Sequence, residues 1–592
     1  GVTFSFIFAG HISSFPIMAI VLGFMWLSVL TLRKTGIFQA ISLALLFILI
    51  LLFSPVMEKK TEMIRWKGLA GDLPLIESLD SRYQYLTLTK QAEQWSLYNN
   101  GQYSFSFPDP YRDRIIASMV MTQHPDPREI LIVGDASPDF IEEFLKWPVS
   151  HLDWVFLDNK LLNAMSPAMN EKRKKILENK RLKLRFLDGR FWVAGIENKY
   201  DLIWMNVPQP TTALLNRYYT SEFYQMAKKA LKNDGTLAMF YPSAENYMAG
   251  EVGELTHILY ATLKKIFPYI AIAPGEGTYV FASDSPGIVT ENPEILKNRY
   301  TEKIKKSTFF SPILFKQLYL PERIKYYREM LSKRAMINTD QRPISYFMEL
   351  VIWLRLTGES SADLLSGIHR TGRYWVMVGI ILFFVMIFIL WAQSEKKKAT
   401  GKYSSPFLLP ATTAAAIGGM GLELILVFSY QNIFGYLYQM IGLIFACFMF
   451  GLAIGSLVAS RLGGDAGRLA FRMVLTGILI LSAFTPEILQ LVSGLNSEFL
   501  FFIFVLICGG LVGMVLPLAI EEGHQSGIIL DRQAGKVNMA DHLGGALGAY
   551  IYGVFLIPLL GLSGSCIVLV FLILIPLLGL DPVQYKINRH QK

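Results

Sequence analysis

The chain has 592 residues, 52% of them hydrophobic and only 17% charged, with a mean hydropathy of +0.36. Proteins that live wholly in water carry about 25% charged residues, so the deficit points to long stretches that never meet water. The hydrophobic content excludes a disordered chain and three cysteines exclude a disulfide scaffold, while the net charge of +9 has to be judged by where the charges sit.

Windows of about 18 or more nearly uncharged residues are long enough to cross a bilayer. They fall near residues 5–30, 36–56, 374–393, 406–430, 434–459, 471–491, 498–520, 542–560 and 563–580. The chain starts at Gly1 rather than Met, which implies processing or an upstream piece. Its first apolar stretch is too long for the core of a signal peptide and has no basic segment before it. The expected division is two membrane helices in 1–57, a small β lid region in 58–128, an α/β domain in 129–284, a mainly helical extension in 285–373 and about seven membrane helices in 374–592.

Outside residues 58–373 there are 14 Lys and Arg against 10 Asp and Glu, which leaves a net +5 in the soluble block. That is a weak charge for so large a block, and no aromatic-interleaved basic stripe accompanies it, so a nucleic-acid partner is set aside. The 14 basic residues form five groups: Arg33 and Lys34; Lys396, Lys397, Lys398 and Lys402; Arg461, Arg468 and Arg472; Arg532 and Lys536; and Lys586, Arg589 and Lys592. With alternating spans, all five groups share one side. The opposite short loops (Gln431-Asn432, Ser493 to Ser497, Gly561 to Ser565) carry no Lys or Arg. Short loops rich in Lys and Arg stay cytoplasmic, and long domains cross regardless of charge. The soluble block is therefore expected outside the cytoplasm and the C-terminus inside, in a cytoplasmic membrane. His369, Arg370 and Arg373 oppose this mildly.

From residue 129, apolar runs alternate with helical stretches. The runs are 129–135, 152–158, 182–188, 200–206 and 235–241; helices are expected over 138–146, 160–178, 219–232 and 251–266. This alternation predicts a mostly parallel, doubly wound sheet, whose ligands bind beyond the carboxyl ends of the strands. Gly134, Asp135, Asp158, Asp188 and Asn206 stand there. Carboxylates after successive strands can bond ribose hydroxyls or an adenine amine. Asp and Asn also end strands simply because they favour turns. Upstream, Ser81 to Leu86 and Trp95 to Tyr103, with the turn signal Asn100-Gly101, suggest short lid strands.

The order and spacing of several motifs resemble the spermidine synthase (polyamine aminopropyltransferase) family over residues 75–284. They are Tyr83-Gln84, Leu97 to Gly101, Tyr111, His124-Pro-Asp-Pro127, Tyr219-Thr-Ser-Glu-Phe-Tyr224 and Asn233-Asp-Gly235. The membrane part resembles the multi-spanning proteins fused to such domains. Its matching features are Glu423 in a Gly-rich span, Phe450 to Ser456, Gly513 to Ala519, Leu543 to Gly548, Ile557 to Gly561 and the segment Asn338-Thr-Asp-Gln-Arg-Pro343. The resemblance implies a polytopic α-helical membrane protein with an inserted α/β Rossmann-like soluble domain of the methyltransferase and spermidine synthase type. It implies decarboxylated S-adenosylmethionine as cofactor if the domain is active, with Gln84, Gly134, Asp135, Asp158 and Asp188 on the nucleoside side.

The chemistry departs from that family. Aminopropyl transfer needs the attacking amine to lose a proton, and the carboxylate expected after the fourth strand is Asn206 here, an amide that takes no proton at neutral pH. The family's glycine-rich loop is replaced by Gly134-Asp-Ala-Ser-Pro138, its Tyr-His-Glu by Tyr111-Arg112-Asp113, and its acidic amine-binding stretch by Phe105-Ser-Phe-Pro-Asp109. A nucleoside cofactor is also scarce outside the cytoplasm. These losses favour a non-catalytic domain that acts as a binding or assembly subunit of a membrane complex. The alternatives are an active aminopropyltransferase whose base moved to Asp135 or Asp201, and a polyamine-linked transporter.

Within the spans, Glu423, Asp541 and His542 are the ionisable groups that stand out, with His11 in the first. Glu423 is expected to pair with a residue such as His542 or Arg461 and lock helices together, with a place in an ion or amine path as the alternative. No metal-ligand set is evident, and Cys447, Cys508 and Cys566 read as small packing residues in spans. The expected partners are the lipid bilayer, other membrane or extracytoplasmic proteins and a second copy of the chain. A reporter fused at residue 250 should behave as extracytoplasmic; protection of that site on the cytoplasmic side would invert the topology.

Overall fold

The computed structural model describes residues 18, 20–24, 37–81, 83–243, 250–275, 277–304, 310–331, 335–358, 362–363, 365–367, 372–398, 406–435, 438–462, 464–495, 497–524 and 530–580. His11, Arg33, Lys34, His369, Arg370, Lys402, Lys586, Arg589 and Lys592 lie outside them, as do the side chains of Arg373, Lys396, Lys397, Lys398 and Arg532.

Helix α1 (Ile37–Ala70) carries the second apolar stretch and continues without a break across residue 57 into the soluble part. Its final turns rest on a four-stranded antiparallel sheet, β1 (Leu75–Asp80), β2 (Tyr85–Gln91), β3 (Gln94–Asn99) and β4 (Gln102–Phe107), joined in sequence order. Trp66 meets Tyr98 edge-on at 5.1 Å, and the Arg65 guanidinium lies 4.3 Å over the Tyr85 ring. The β3–β4 turn is Asn100-Gly101, with φ of 51° and 82°. Two consecutive positive φ angles suit the right-handed twist of a tight hairpin. The expected lid is present, although Ser81 and Gln84 form the turn before β2 rather than a strand.

The α/β domain follows. Helix α2 (Pro110–Thr122) leads to β5 (Glu129–Val133), α3 (Pro138–Leu145) and β6 (His151–Phe156). The expected long helix over 160–178 is two short ones, α4 (Lys160–Ala164) and α5 (Glu171–Leu177), because Pro167 and the capping residue Asn170 interrupt it. Then come β7 (Leu182–Phe186), α6 (Gly189–Ala194), β8 (Tyr200–Met205), α7 (Ala213–Asn216), α8 (Ser221–Ala230), β9 (Leu231–Pro242), α9 (Gly250–Lys264), β10 (Tyr269–Pro274) and β11 (Gly277–Ser283). The strand order is β10-β11-β9-β8-β5-β6-β7. Strands β7, β6, β5, β8 and β9 are parallel, while β11 and β10 form an antiparallel hairpin on the β9 edge. The alternation in sequence marks the five parallel strands but not this hairpin. Strand β8 is buried along its whole length, as befits a central strand covered by helices on both faces. Helices α10 (Pro293–Lys303), α11 (Leu314–Leu318) and α12 (Pro321–Leu331) pack on the β10 side of the domain; α13 (Ile344–Leu356) packs against α9 and the membrane part.

The C-terminal part contains α14 (Arg373–Lys398), α15 (Leu408–Phe434), α16 (Tyr438–Ala459), α17 (Gly464–Leu495), α18 (Glu498–His524), α19 (Leu530–Tyr550) and α20 (Ile557–Gly579). Six described helical runs are long and apolar enough to cross a membrane. The last, Gln533–Gly579, has 47 residues and folds back on itself at Gly561, where φ is 77° and ψ 178°. Gly544 and Gly548 lie against Thr413 and Ile417 of α15, whereas beyond the reversal Leu569 approaches Gly418 and Gly579 approaches Phe407. The long run is therefore two antiparallel helical limbs, one ending and one starting at Gly561, which contain the apolar stretches 542–560 and 563–580. Helix α15 is the buried centre, while α14 and α16 expose most of their apolar surface. Helices α16 and α18 meet through Gly451, Gly455, Gly509 and Gly513, where missing side chains let the backbones touch.

The soluble domain sits on one end of this bundle. Asn432 Nδ2 donates to Asp340 O (2.9 Å), Leu562 N to Gln341 O (2.7 Å) and Arg342 Nε to Leu559 O (3.2 Å). A Cβ on Gly561 would fall 2.5 Å from Gln341 O, so only glycine lets the strap through. Following the helices up and down, Arg461, Arg468, Arg472 and Lys536 lie toward the opposite end. The strap is Asn338–Pro343. Its Asp340 forms a two-pronged ion pair with Arg190 of α6, side chains 18% and 5% exposed, and also accepts from Thr220 Oγ1 (2.8 Å). Removing one partner of a buried pair leaves an uncompensated charge. Asp340→Ala should therefore cost about 3–5 kcal/mol, whereas replacing both Arg190 and Asp340 by apolar residues of similar volume should be close to neutral. Thermal unfolding of both variants in detergent checks this; equal losses would show that the pair does not act as a unit.

Candidate functional site

Strands β5 and β8 are neighbours from which the order runs outward in both directions, so the crevice at their carboxyl ends is the switch point where ligands of such sheets bind. The chain leaves β5 at Gly134, with φ 114°. A side chain there would overlap the Asn206 carbonyl. Ser137 then caps α3 by accepting from Phe140 N (3.1 Å), with Pro138 in the first turn. The replacement for the glycine-rich loop is thus a short, capped helix entry.

Asn206 bridges the crevice. Its backbone N donates to Val133 O (2.7 Å) and its side-chain Nδ2 donates to Asp135 O (2.5 Å). An amide can make that donor bond; a carboxylate cannot. The Asp135 carboxyl accepts from Gln84 Nε2 (3.3 Å) and Asn99 Nδ2 (2.9 Å), two groups of the lid. Burial pushes the Asp135 carboxyl up to about 6; the Gln84 bond opposes this, while nearby Asp158 adds to it. Sequence reasoning did not single out Asn99, whose only signal is its place before the Asn100-Gly101 turn.

Asp158 and Asp188 serve two roles on different atoms. Asp158 Oδ1 accepts from Lys160 N (3.0 Å), the turn role, whereas Oδ2 is buried without a hydrogen-bond partner among the described residues, on a residue only 1% exposed. Asp188 Oδ1 accepts from Phe191 N (2.9 Å) and caps α6; its Oδ2 forms a buried ion pair with Arg217 and accepts from Tyr218 OH (3.2 Å). Arg217 also donates to Gln431 O (3.3 Å); Gln431 and Asn432, expected as a short loop, lie in the last turns of α15. Nothing in sequence links Arg217 to either partner.

Asp201, considered as a relocated base, is at the amino end of β8. It accepts from Arg128 N (3.0 Å) and Glu129 N (2.8 Å) and pairs with Lys232 (2.9 Å), away from the crevice. In the bundle, Glu423 is buried, and among the described residues its Oε1 has no hydrogen-bond partner. The expected pairing does not form: Arg461 and His542 are exposed, and no ion pair joins either to Glu423 among the described residues, because they face away from the α15 centre. Asp541 is half-buried.

With this geometry in place, the α/β domain belongs to the Rossmann-like class. Residues 110–274 match the family model of the spermine/spermidine synthase domain. A polyamine aminopropyltransferase of Korarchaeum cryptofilum is 27% identical over 234 residues, covering 38% of this chain and 70% of that protein. One of Oceanobacillus iheyensis is 27% identical over 168 residues, covering 28% of this chain and 33% of that protein. The match therefore spans only a third of the Oceanobacillus relative. The crystal structure of spermidine synthase from Thermotoga maritima aligns over 43% of this chain and 87% of its own, with 18% identity and a TM-score of 0.35. The chain carries a spermidine synthase domain, joined to a large helical region of apolar helices.

Three carboxyls in the soluble part hold protons unusually well. Burial, reinforced by Asp109 and opposed by Arg112, pushes Asp113 up to about 8; burial pushes Glu349 up to about 7; Asp135 stands at about 6. Each folded-state value lies above the unfolded one, so the folded domain binds more protons between about pH 4 and 8. Their contribution to stability is complete below the unfolded value and fades as pH rises through the folded one. The melting temperature should fall from pH 5 to pH 8.5, and Asp113→Asn should remove much of the fall above pH 6. A pH series of thermal unfolding measures this; an unchanged slope in Asp113→Asn would exclude the assignment.

Proposed function

We propose that this is a polytopic membrane protein whose spermidine synthase-like domain binds an adenosine-type nucleoside and does not transfer an aminopropyl group. The observation that carries this reading is the pair Asn206 and Asp158. At the position that needs a proton acceptor there is an amide whose NH2 is already bonded to Asp135 O. Two strands along the sheet, Asp158 offers a buried carboxylate oxygen with no partner among the described residues, which fits a ribose hydroxyl donor. An unsatisfied buried acceptor costs about 1–3 kcal/mol, which a ligand hydroxyl recovers. Asp188 does not fit the base amine in the same way, since both its oxygens are committed within the chain. Decarboxylated S-adenosylmethionine, the cofactor the resemblance implies, would find the ribose contact open here, the base contact already held by Arg217, and no proton acceptor at Asn206.

The basic loops lie on the end of the bundle away from the domain, which supports an extracytoplasmic domain by the bias of Lys and Arg toward the cytoplasm. A nucleoside is scarce there, which suits a sensing or assembly surface within a membrane complex better than steady turnover. Copurification from mild detergent tests the complex.

A second reading is favoured by one observation. A carboxyl pushed up to about 6 is tuned to act as a general base near neutrality, and Asp135 has that property beside the crevice. In that reading the domain is an aminopropyltransferase with Asp135 as base. The purified chain with decarboxylated S-adenosylmethionine and putrescine should give no product, and Asp158→Ala should weaken adenosine binding about tenfold, close to 1.4 kcal/mol. Turnover that disappears in Asp135→Asn would replace the first reading with the second; adenosine affinity unchanged in Asp158→Ala would remove the nucleoside site.

A further inference from the structure

We infer that Arg217 is a built-in occupant of the base end of the nucleoside crevice, and that its displacement couples ligand binding to the carboxyl end of α15 and the loop that starts there. The inference rests on the nucleoside reading above. Arg217 is 2% exposed. One Nη pairs with Asp188 Oδ2 and the other donates to Gln431 O at 3.3 Å, so a single guanidinium ties the end of β7 to the membrane bundle. Its backbone carbonyl is fixed by Arg190 Nη1 (2.7 Å), which itself pairs with Asp340.

The loop presses on the same point. Gly435 adopts φ 91°, and a Cβ there would lie 3.7 Å from Arg217 Nη1 and 3.8 Å from Asp188 Cγ. The floor of the base end is therefore made by the membrane bundle. A ligand amine that bonds Asp188 must displace the guanidinium, because Asp188 Oδ1 is already used to cap α6. A guanidinium–carboxylate pair is stronger than a neutral amine–carboxylate bond, so the resident group holds the site until the ligand's remaining contacts outweigh it. When Arg217 leaves Asp188 it also gives up Gln431, and the carboxyl end of α15 keeps its Asn432–Asp340 tether. Coupling of this kind is reciprocal: whatever holds the loop in place weakens the ligand, and the ligand loosens the loop.

Binding of adenosine to the full chain in detergent, together with hydrogen exchange of amides 431–435, tests this. Arg217→Gln should bind adenosine about five- to a hundredfold more tightly than the parent. Adenosine should speed exchange of the loop in the parent and leave it unchanged in Arg217→Gln. Equal affinity in parent and variant would overturn the coupling while leaving the nucleoside reading intact. Absence of adenosine binding in every form would overturn both. If Arg217→Gln does not fold, Asn432→Ala serves instead: it loosens the loop without touching Asp188 and should also tighten binding. An unchanged affinity in that variant would equally overturn the coupling.

Discussion

A buried guanidinium must be matched or it drives the structure apart, and Arg190 is such a group. It finds its match in Asp340, on a strap 150 residues later in the chain. The same strap delivers Gln341 and Arg342 to the reversal at Gly561 and takes a bond from Asn432. One ion pair therefore fixes how the α/β domain stands on the bundle. The geometry is exclusive, since the strap fits only where the helix hairpin turns through a glycine with no side chain. Because Arg190 lies in the short helix after β7, the carboxyl edge of the sheet is the edge turned toward the membrane part.

That orientation explains why the crevice differs from corner to corner. At the β8 corner, Asn206 spends its amide on the neighbouring backbone. At the β7 corner, Asp188 is neutralised by Arg217, which the carboxyl end of α15 holds in place. At the β6 corner, Asp158 keeps a carboxylate oxygen without a hydrogen-bond partner among the described residues. The lid closes over Asp135 through Gln84 and Asn99, and the lid itself is carried by the far end of α1. Both membrane contacts reach the site, one through the lid and one through Arg217.

Much of the fold could be read from local pattern. Five apolar runs at the spacing of strand and helix gave the parallel sheet, and Asn100-Gly101 gave the lid turn. The β10–β11 hairpin was missed because an antiparallel edge pair leaves no mark in the alternation. The helix over 160–178 was overextended because Pro167 and Asn170 weigh little against a long polar, helix-favouring run. At the site, Gly134, Asp135, Asp158 and Asn206 are legible from their places at strand ends and Gln84 from the family resemblance; in the structure Gln84 and Asn206 both bond Asp135, with Asp158 near it. Asp188 was also found, but its state was not. An ion pair with a residue 29 positions away has no signature in sequence, and neither does a bond from Arg217 to a helix end 214 positions away.

The sequence by itself determined the class of molecule: membrane spans with basic residues grouped by loop, an inserted α/β domain, and an amide where transfer chemistry needs a base. These follow from composition, period and single residue identity, all of them local. Only the tertiary structure decided which carboxylates are open. Asp158 and Asp188 are the same residue type at equivalent strand ends, yet one keeps an oxygen with no partner among the described residues and the other meets a buried arginine. Hydrogen bonding and ion pairing saturate: a group already matched within the chain is no longer available to a ligand, and that match depends on what folding brings near.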